Sequence, residues 1–302
     1  MAQRLLVVSP VRNEAAHIER VALAMAAQTR RPDLWVVIDD RSTDETPQIL
    51  ARLAAQLDFM QVLSSPEPQA APAAKDRLAV ALEARAFNLA LASVPWQTFT
   101  HIAKLDGDIE LSPRYFELLL AEFERDPELG LAGGTLSERS EDGWTEERAP
   151  SDYHIRGALK CFTRACLESI GGIQERLAWD TIDEIYARMH GFRTRSFAEI
   201  DARHHRPWGS ADGTLRGRAR HGRCVYITHF PLAWVSLRAV KTATESPRVL
   251  SGLAFLGGYL WAGVVRTPQV EDPAFRAFVR RELSVRARRA LRLGAPVAQA
   301  VG

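Results

Sequence analysis

Leu5-Leu6-Val7-Val8 runs apolar and then stops at Ser9-Pro10-Val11-Arg12-Asn13-Glu14. A short apolar run closed by a turn signal reads as a strand of a parallel sheet, buried on both faces. Ile18, Val21, Ala22 and Met25 follow at helical spacing and predict a helix over 14–29. Leu34–Ile38 is a second apolar run, ending in Asp39-Asp40. Ile49, Leu50, Leu53 and Leu57 predict a helix over 45–57, with Asp40, Ser42, Thr43 or Asp44 available as its N-cap. Phe59–Leu63 reads as a third strand. Strands alternating with helices predict βαβ units and a parallel sheet.

The alternation continues along the chain. Residues 64–75, rich in Pro, Ala and Ser, read as a loop. Residues 76–92 predict a helix, and Thr98–Leu105 a strand that runs into Asp106-Gly107-Asp108. A helix is expected over 113–125, with Pro113 in its first turn, and a strand over Leu129–Thr135. Residues 137–154 are polar and acidic and are expected to form a surface loop. Residues 157–202 read as strand, helix, loop, helix and strand. Ile227–Val240 and Leu250–Val265 are strongly apolar; the second is 16 residues without a charge, short of the ~20 that span a bilayer. Over 274–293, Phe275, Phe278, Val279, Leu283 and Leu291 alternate with seven Arg, a basic amphipathic helix.

The 302 residues are 46% apolar and 25% charged. That composition excludes disorder, collagen and disulfide scaffolds as the main description. Cys161, Cys166 and Cys224 are odd in number and lack C-x-x-C spacing, so no Cys-rich zinc site is expected. The first ten residues offer no secretory h-region, and a cytosolic protein is expected. Net charge hides an asymmetry. Residues 1–202 hold 22 basic and 32 acidic side chains; residues 203–302 hold 17 basic and 5 acidic. The basic segment points to an anionic partner.

In a parallel α/β sheet, ligands bind outside the carboxyl ends of the strands. Three such ends carry polar groups here: Arg12-Asn13-Glu14, Asp39-Asp40-Arg41-Ser42 and Asp106-Gly107-Asp108. Asp106 and Asp108 repel one another unless a cation lies between them or one pKa rises. Mg²⁺ and Mn²⁺ take oxygen ligands, so a metal bridging to a diphosphate is one reading and an acidic turn the other. At Asp39-Asp40, one carboxylate can accept from a base or a ribose, and helix capping accounts for another.

These residues resemble a known family. Ser9-Pro10-Val11-Arg12-Asn13-Glu14, then Asp39-Asp40-Arg41-Ser42-Thr43-Asp44-Glu45-Thr46, then Leu105-Asp106-Gly107-Asp108 about 65 residues later look like the three motifs of family 2 glycosyltransferases, in order and spacing. The resemblance covers roughly residues 4–200. It implies an α/β chain with the GT-A fold, a mainly parallel Rossmann-like sheet flanked by helices. Residues 1–210 would form the catalytic domain, with a nucleotide-sugar half to about 110 and an acceptor half beyond. Residues 211–302 would be a basic, apolar helical extension, resembling those of bacterial members at the inner membrane. The implied activity is inverting, metal-dependent transfer of a sugar from a nucleotide diphosphate, with UDP the commonest carrier.

Carried over by residue, the resemblance puts Pro10 and Arg12 in the base pocket with Glu14 beside them, and Asp40 at the base edge. It puts Arg85 at the donor phosphates, Asp106 at the ribose or metal, and Asp108 on Mn²⁺ or Mg²⁺. His204 would be a third metal ligand, with paired surface histidines at 204–205 the alternative reading. An inverting transfer needs a base for the acceptor hydroxyl. The family's Glu-Asp pair becomes Trp179-Asp180 here, which makes Asp180 the expected base and an N-cap its alternative role; Asp183 and Glu184 compete. Gly133-Gly134 and Gly171-Gly172 would approach the acceptor, or simply make turns. Arg206, Arg216, Arg218, Arg220 and Arg223 would close over the leaving diphosphate, or form a solvated face.

The expected partners are a nucleotide-sugar donor, a carbohydrate or lipid-linked acceptor, and an anionic membrane surface at the cytosolic face, at ~1 kcal/mol per basic residue. Nucleic acid is not expected. Two other readings stand beside this one. Leu105–Asp108 also resembles the nucleophile motif of haloacid-dehalogenase phosphatases, with Asp106 as nucleophile. A non-catalytic sugar-nucleotide-binding scaffold at the membrane is the other.

Overall fold

The computed structural model describes residues 3–66, 81–140, 143–147, 152–206 and 213–290. The chain forms two compact units, Met1–Ala211 and Asp212–Gly302.

The first unit is built on a nine-stranded sheet. Its opening strands are β1 (Leu5–Val11), β2 (Leu34–Asp39) and β3 (Met60–Ser64). They pair in parallel around β1, and β1 also pairs in parallel with β4 (His101–Leu105). Leu5 to Val8 and Trp35 to Ile38 are wholly buried, as continuous apolar runs require when helices cover both faces. Helices α1 (Ile18–Ala26), α2 (Thr46–Ala54) and α3 (Leu82–Ala92) connect these strands. In α1 the buried residues are Ile18, Val21, Ala22 and Met25. Residues 67–80, which include the start of the helix expected over 76–92, lie outside the described residues.

Beyond β4 the sheet changes character. β5 (Ile109–Leu111) and α4 (Tyr115–Arg125) follow, then β6 (Leu129–Ser140), β7 (Gly143–Glu147), β8 (Leu159–Thr163), α5 (Arg164–Ser169), α6 (Trp179–Met189) and β9 (Arg193–His204). The order is β3-β2-β1-β4-β8-β6-β9-β5, with β7 on β6. β8 runs antiparallel to β4 and β6, while β6 and β9 are parallel. Parallel pairing thus covers the first four strands, and the second half is mixed.

Three expectations are corrected. Residues 137–147 are not all loop: β6 extends to Ser140 and pairs with β7. Their polar composition hid the ribbon, because a ladder at the sheet's margin rests on backbone hydrogen bonds and needs no apolar face. Pro113 precedes α4, and its carbonyl accepts from Thr29 N–H at 2.9 Å. The N-cap of α2 is Glu45, without a side-chain cap bond, so neither Asp40 nor Ser42 caps it. Asp44 Oδ1 instead accepts from Thr46 N–H at 3.0 Å, just inside the helix.

The second unit holds α7 (Thr214–Ile227), α8 (Leu232–Thr242), α9 (Leu250–Val264) and α10 (Pro273–Ala290). Val225, Val235, Ala239 and Phe255 form its small core. α7 and α9 meet through glycines: a Cβ on Gly222 would lie 2.0 Å from Phe255 O, and one on Gly258 2.0 Å from Ala219 O. No helix among the described residues is long and apolar enough to cross a membrane.

Candidate active site

Parallel pairing brings the carboxyl ends of β1, β2 and β4 to one edge of the sheet. The turn after β4 packs on the exit of β1: a Cβ on Gly107 would lie 2.7 Å from Val11 Cγ1 and 3.1 Å from Glu14 Cγ. Gly107 is therefore required for Asp106 and Asp108 to flank Glu14. β9 delivers the cationic side. His204 Nε2 is 3.5 Å from Asp108 Oδ2, and its Nδ1 is 3.5 Å from Glu138 Oε1. Arg206 donates to Glu14 Oε2 at 2.8 Å, with its Nε 3.8 Å from Asp108.

Burial and the neighbouring cations act in opposition on this acidic cluster. Burial pushes Glu14 up to about 7, helped by Asp108 and Asp106 and opposed by Arg206. Asp106 rises to about 6; burial again leads, Glu83 and Asp108 add to it, and the ion pair with Lys104 opposes it. Burial would raise Asp108 too, but His204, Arg206 and His17 outweigh it and hold that carboxyl below its ordinary range. Burial would lower His204, yet its contacts with Asp108 and Glu138 raise it to about 10.

Among the described residues no group of three or more His, Cys, Asp and Glu side chains forms a metal cluster. The donor chemistry nevertheless fits a hard divalent cation, with carboxylate oxygens from Asp106 and Asp108 on either side of Gly107. The contacts of His204 with Asp108 and Glu138 favour its charged form, and only the neutral ring can ligate a metal.

The first two strand ends interlock. Arg12 donates to Asp40 O at 3.1 Å, and Arg41 Nε lies 3.4 Å from the buried Asp40 carboxylate. Asn13, at φ +55°, accepts from Thr43 N–H at 2.8 Å, and Glu14 N–H donates to Thr46 Oγ1 at 2.8 Å. Ser42 bridges the two loops, accepting from Asn13 N–H at 2.9 Å and donating to Asp39. Pro10 is half-buried in register with Ile38. The D-D-x-S-x-D-x-T stretch therefore ties two strand ends into one rim.

Asp180 is the second residue of α6 and half-buried. It is not the N-cap; Ala178 is, at φ +72°. Its link to Asp106 runs through Gly157, whose carbonyl accepts from Lys104 at 2.9 Å and whose Cβ would lie 3.3 Å from Asp180 Cβ. Asp183 and Glu184 are buried on Lys160, at 2.7 and 3.3 Å. Burial pushes Asp183 up to about 7. Burial would raise Glu184 as well, but His154 and Lys160 hold it at about 2. Both competitors of Asp180 are thus buried and paired with Lys160.

Arg85 and the paired glycines depart from expectation among the described residues. Arg85 is exposed on α3, its Nε 3.7 Å from Glu175, with no described contact to the acidic cluster. Gly133 and Gly134 lie inside β6 and make no turn; a Cβ there would meet Leu159 O at 2.5 Å and Ile200 O at 2.1 Å. Gly171 and Gly172 do turn, at φ +73° and +83°. Arg216, Arg218, Arg220 and Arg223 lie on α7 in the second unit, where Arg218 pairs with Glu245.

Sequence reading also missed residues. Lys104 and Lys160 are register partners across β4 and β8, both buried, and both Nζ lie over the Trp179 ring at 5.1 and 5.5 Å. Trp179 Nε1 donates to Glu83 at 3.0 Å. Trp144, at the tip of the unforeseen β6–β7 ribbon, meets the His205 ring edge-on at 5.3 Å and the Arg203 guanidinium at 5.2 Å. Two of only four lysines in the chain standing in apolar strands was the available signal for the first pair. No signal marked Trp144.

The model of the family described as Glycosyl transferase family 2 matches residues 6–170, spanning all three strand ends. The chain belongs to glycosyl transferase family 2. Its fold is that of solved GT-A glycosyltransferases. A mannosyltransferase from Pyrobaculum calidifontis, solved with GDP-Man and Mn²⁺, aligns with a TM-score of 0.55 at 18% identity, over 98% of this chain and 82% of that one. S. aureus TarS 1–349 with UDP-GlcNAc gives 0.54 at 15%, over 91% and 78%. TarS itself gives 0.53 at 14% over 85% of this chain, which spans only 43% of TarS. None of the curated protein sequences matches the chain. Family 2 membership leaves the phosphatase reading of Asp106 without support.

Proposed function

We propose that this family 2 chain is an inverting glycosyltransferase that moves a sugar from a nucleotide-diphosphate sugar, UDP-linked in the first instance, to an acceptor hydroxyl. The observation that carries the reading is the gathering of Glu14, Asp106 and Asp108 at the carboxyl edge of the sheet, each beside a cation: Arg206, Lys104 and His204. Arg12 and Asp40 form the base pocket with Pro10. Asp106 and Asp108 would hold Mn²⁺ or Mg²⁺, with His204 a third ligand once deprotonated, and the bound ion would supply positive charge to the diphosphate leaving group. Asp180 accepts the acceptor's proton as the hydroxyl oxygen attacks the anomeric carbon and the bond to the diphosphate oxygen breaks. The acceptor is a carbohydrate or a lipid-linked sugar, and the basic C-terminal segment keeps the enzyme at the cytosolic face of a membrane.

Calorimetric titration with UDP, GDP, dTDP and CDP, with and without Mn²⁺, tests this reading. Metal-dependent binding of one nucleotide, lost in Asp108→Ala, is the expected result. Asp180→Asn should keep that binding and lose about 10²–10⁴-fold in turnover of the matching nucleotide sugar. No nucleotide binding by folded protein overturns the donor site. Binding without any turnover overturns the transferase in favour of a scaffold.

A further inference from the structure

The sequence places the membrane-facing amphipathic helix over 274–293, but the apolar stripe of that helix is already used. Phe275, Val279 and Leu283 of α10 are buried, and the Phe275 ring lies 6.5 Å from the His229 ring. The uncovered apolar surface is elsewhere in the second unit. Along α9, Leu250, Leu253, Gly257, Leu260, Trp261 and Val264 recur at helical spacing and all face outward, Trp261 at 62% and Val264 at 72% exposure. A Cβ on Gly257 would meet nothing within 4 Å. On α8, Leu237 and Val240 are likewise exposed. No charged residue interrupts 249–265. Single exposed apolar residues are ordinary, whereas a continuous exposed stripe marks an interaction site.

The rim of this stripe is basic. Exposed Lys241 and Arg248 precede α9, and exposed Arg266 follows it. Arg266 also opens a cavity of about 810 Å³ lined by Arg276 and Arg280 of α10. Glu271 and Asp272 line the same cavity; Asp272 Oδ1 is engaged by the N–H groups of Ala274 and Phe275 at 2.8 and 3.3 Å. Among the described residues the guanidinium groups of Arg266, Arg276 and Arg280 make no ion pair.

We propose that the α8–α9 face is the surface by which this chain docks on an anionic phospholipid bilayer, α9 lying in the interface and Arg266, Arg276 and Arg280 taking headgroup phosphates. The proposal rests on the membrane reading above and assigns it to particular residues. The charge pattern selects lipid over a second copy of the chain. A two-fold contact would set the basic rim against itself, whereas anionic headgroups neutralise it. Length agrees. The 15 residues of α9 span about 22 Å at 1.5 Å each, short of the ~30 Å hydrocarbon core, so the helix lies along the surface rather than through it. Trp261 then sits where indole rings prefer to be, at the headgroup boundary.

Flotation of the full chain with vesicles of phosphatidylcholine alone, or mixed with phosphatidylglycerol, tests the assignment. The expected result is binding to the mixed vesicles only, weakened by salt. The triple variant Arg266→Gln, Arg276→Gln, Arg280→Gln should bind about a hundredfold more weakly, at about fivefold per arginine. Trp261→Ser with Val264→Ser should also lose binding while unfolding at the wild-type temperature. Equal binding by wild type and both variants overturns the proposed face but leaves the membrane reading standing. No binding by the wild type overturns both, and dimerisation abolished by Trp261→Ser overturns the proposed face. Calorimetric nucleotide binding reports the active site separately.

Discussion

The two units spend charge in opposite ways. The first buries it: Lys104, Lys160, Asp183, Glu184, Asp108 and Glu14 are all withdrawn from water and paired. The second leaves Arg248, Arg266, Arg276 and Arg280 exposed and exposes apolar side chains of α8 and α9. Buried ion pairs are costly to break and hold a geometry. An exposed apolar stripe buries little area on folding and leaves a surface open to a partner. Buried pairs thus brace the unit with the strand-end site, and the other unit carries the face proposed above to dock on lipid.

The sharpest way to break this contrast is to remove one buried cation. Lys160→Met should strand Asp183 and Glu184 in the core and cost about 3–5 kcal/mol, seen as a large fall in the denaturation midpoint. Trp261→Ser in the second unit should shift stability by no more than about 0.5 kcal/mol. Equal effects from the two would dissolve the comparison.

His101 offers a smaller test within the first unit. Burial lowers it from 6.5 to about 4. A depressed folded pKa means that its stability contribution is present above 6.5 and lost as pH falls through about 4. The full term is about 3 kcal/mol at most. In His101→Gln, acid denaturation curves should lack this slope between those pH values.

Adjacent glycines on α9 give the smallest pair. Gly258→Ala should cost about 1–3 kcal/mol, because its Cβ would strike Ala219 O. Gly257→Ala should stabilise by up to about 1 kcal/mol, since it faces open space on a helix. Thermal unfolding of both variants checks the signs. Like signs would mean that α7 and α9 do not pack as described.

Much of the first half was legible because it is written in two strong codes. Apolar runs such as Leu5–Val8 and Trp35–Ile38 can only be buried strands, and the polar groups that end them can only gather at one sheet edge. The D-D-x-S-x-D-x-T stretch was readable for its residue types, but not for its hydrogen bonds. Its Ser42 and Asp44 were expected as caps and instead join two loops. The β6–β7 ribbon was not legible, since its ladder is backbone and its side chains are polar. Arg85 was placed by analogy alone, and no local pattern could say which way it points from α3.

The sequence by itself determined the alternation of strands and helices, the three acidic strand ends, and the charge imbalance between segments. These depend on side-chain period and residue type, both local properties. Only the tertiary structure decided that Lys104 and Lys160 meet over Trp179, that Asp183 and Glu184 are spent on Lys160, and that α9 rather than α10 presents apolar surface. Each depends on which face a neighbouring element covers. Burial is a property of pairs of elements, and the pairing of residues far apart in the chain is not encoded in the spacing of either one.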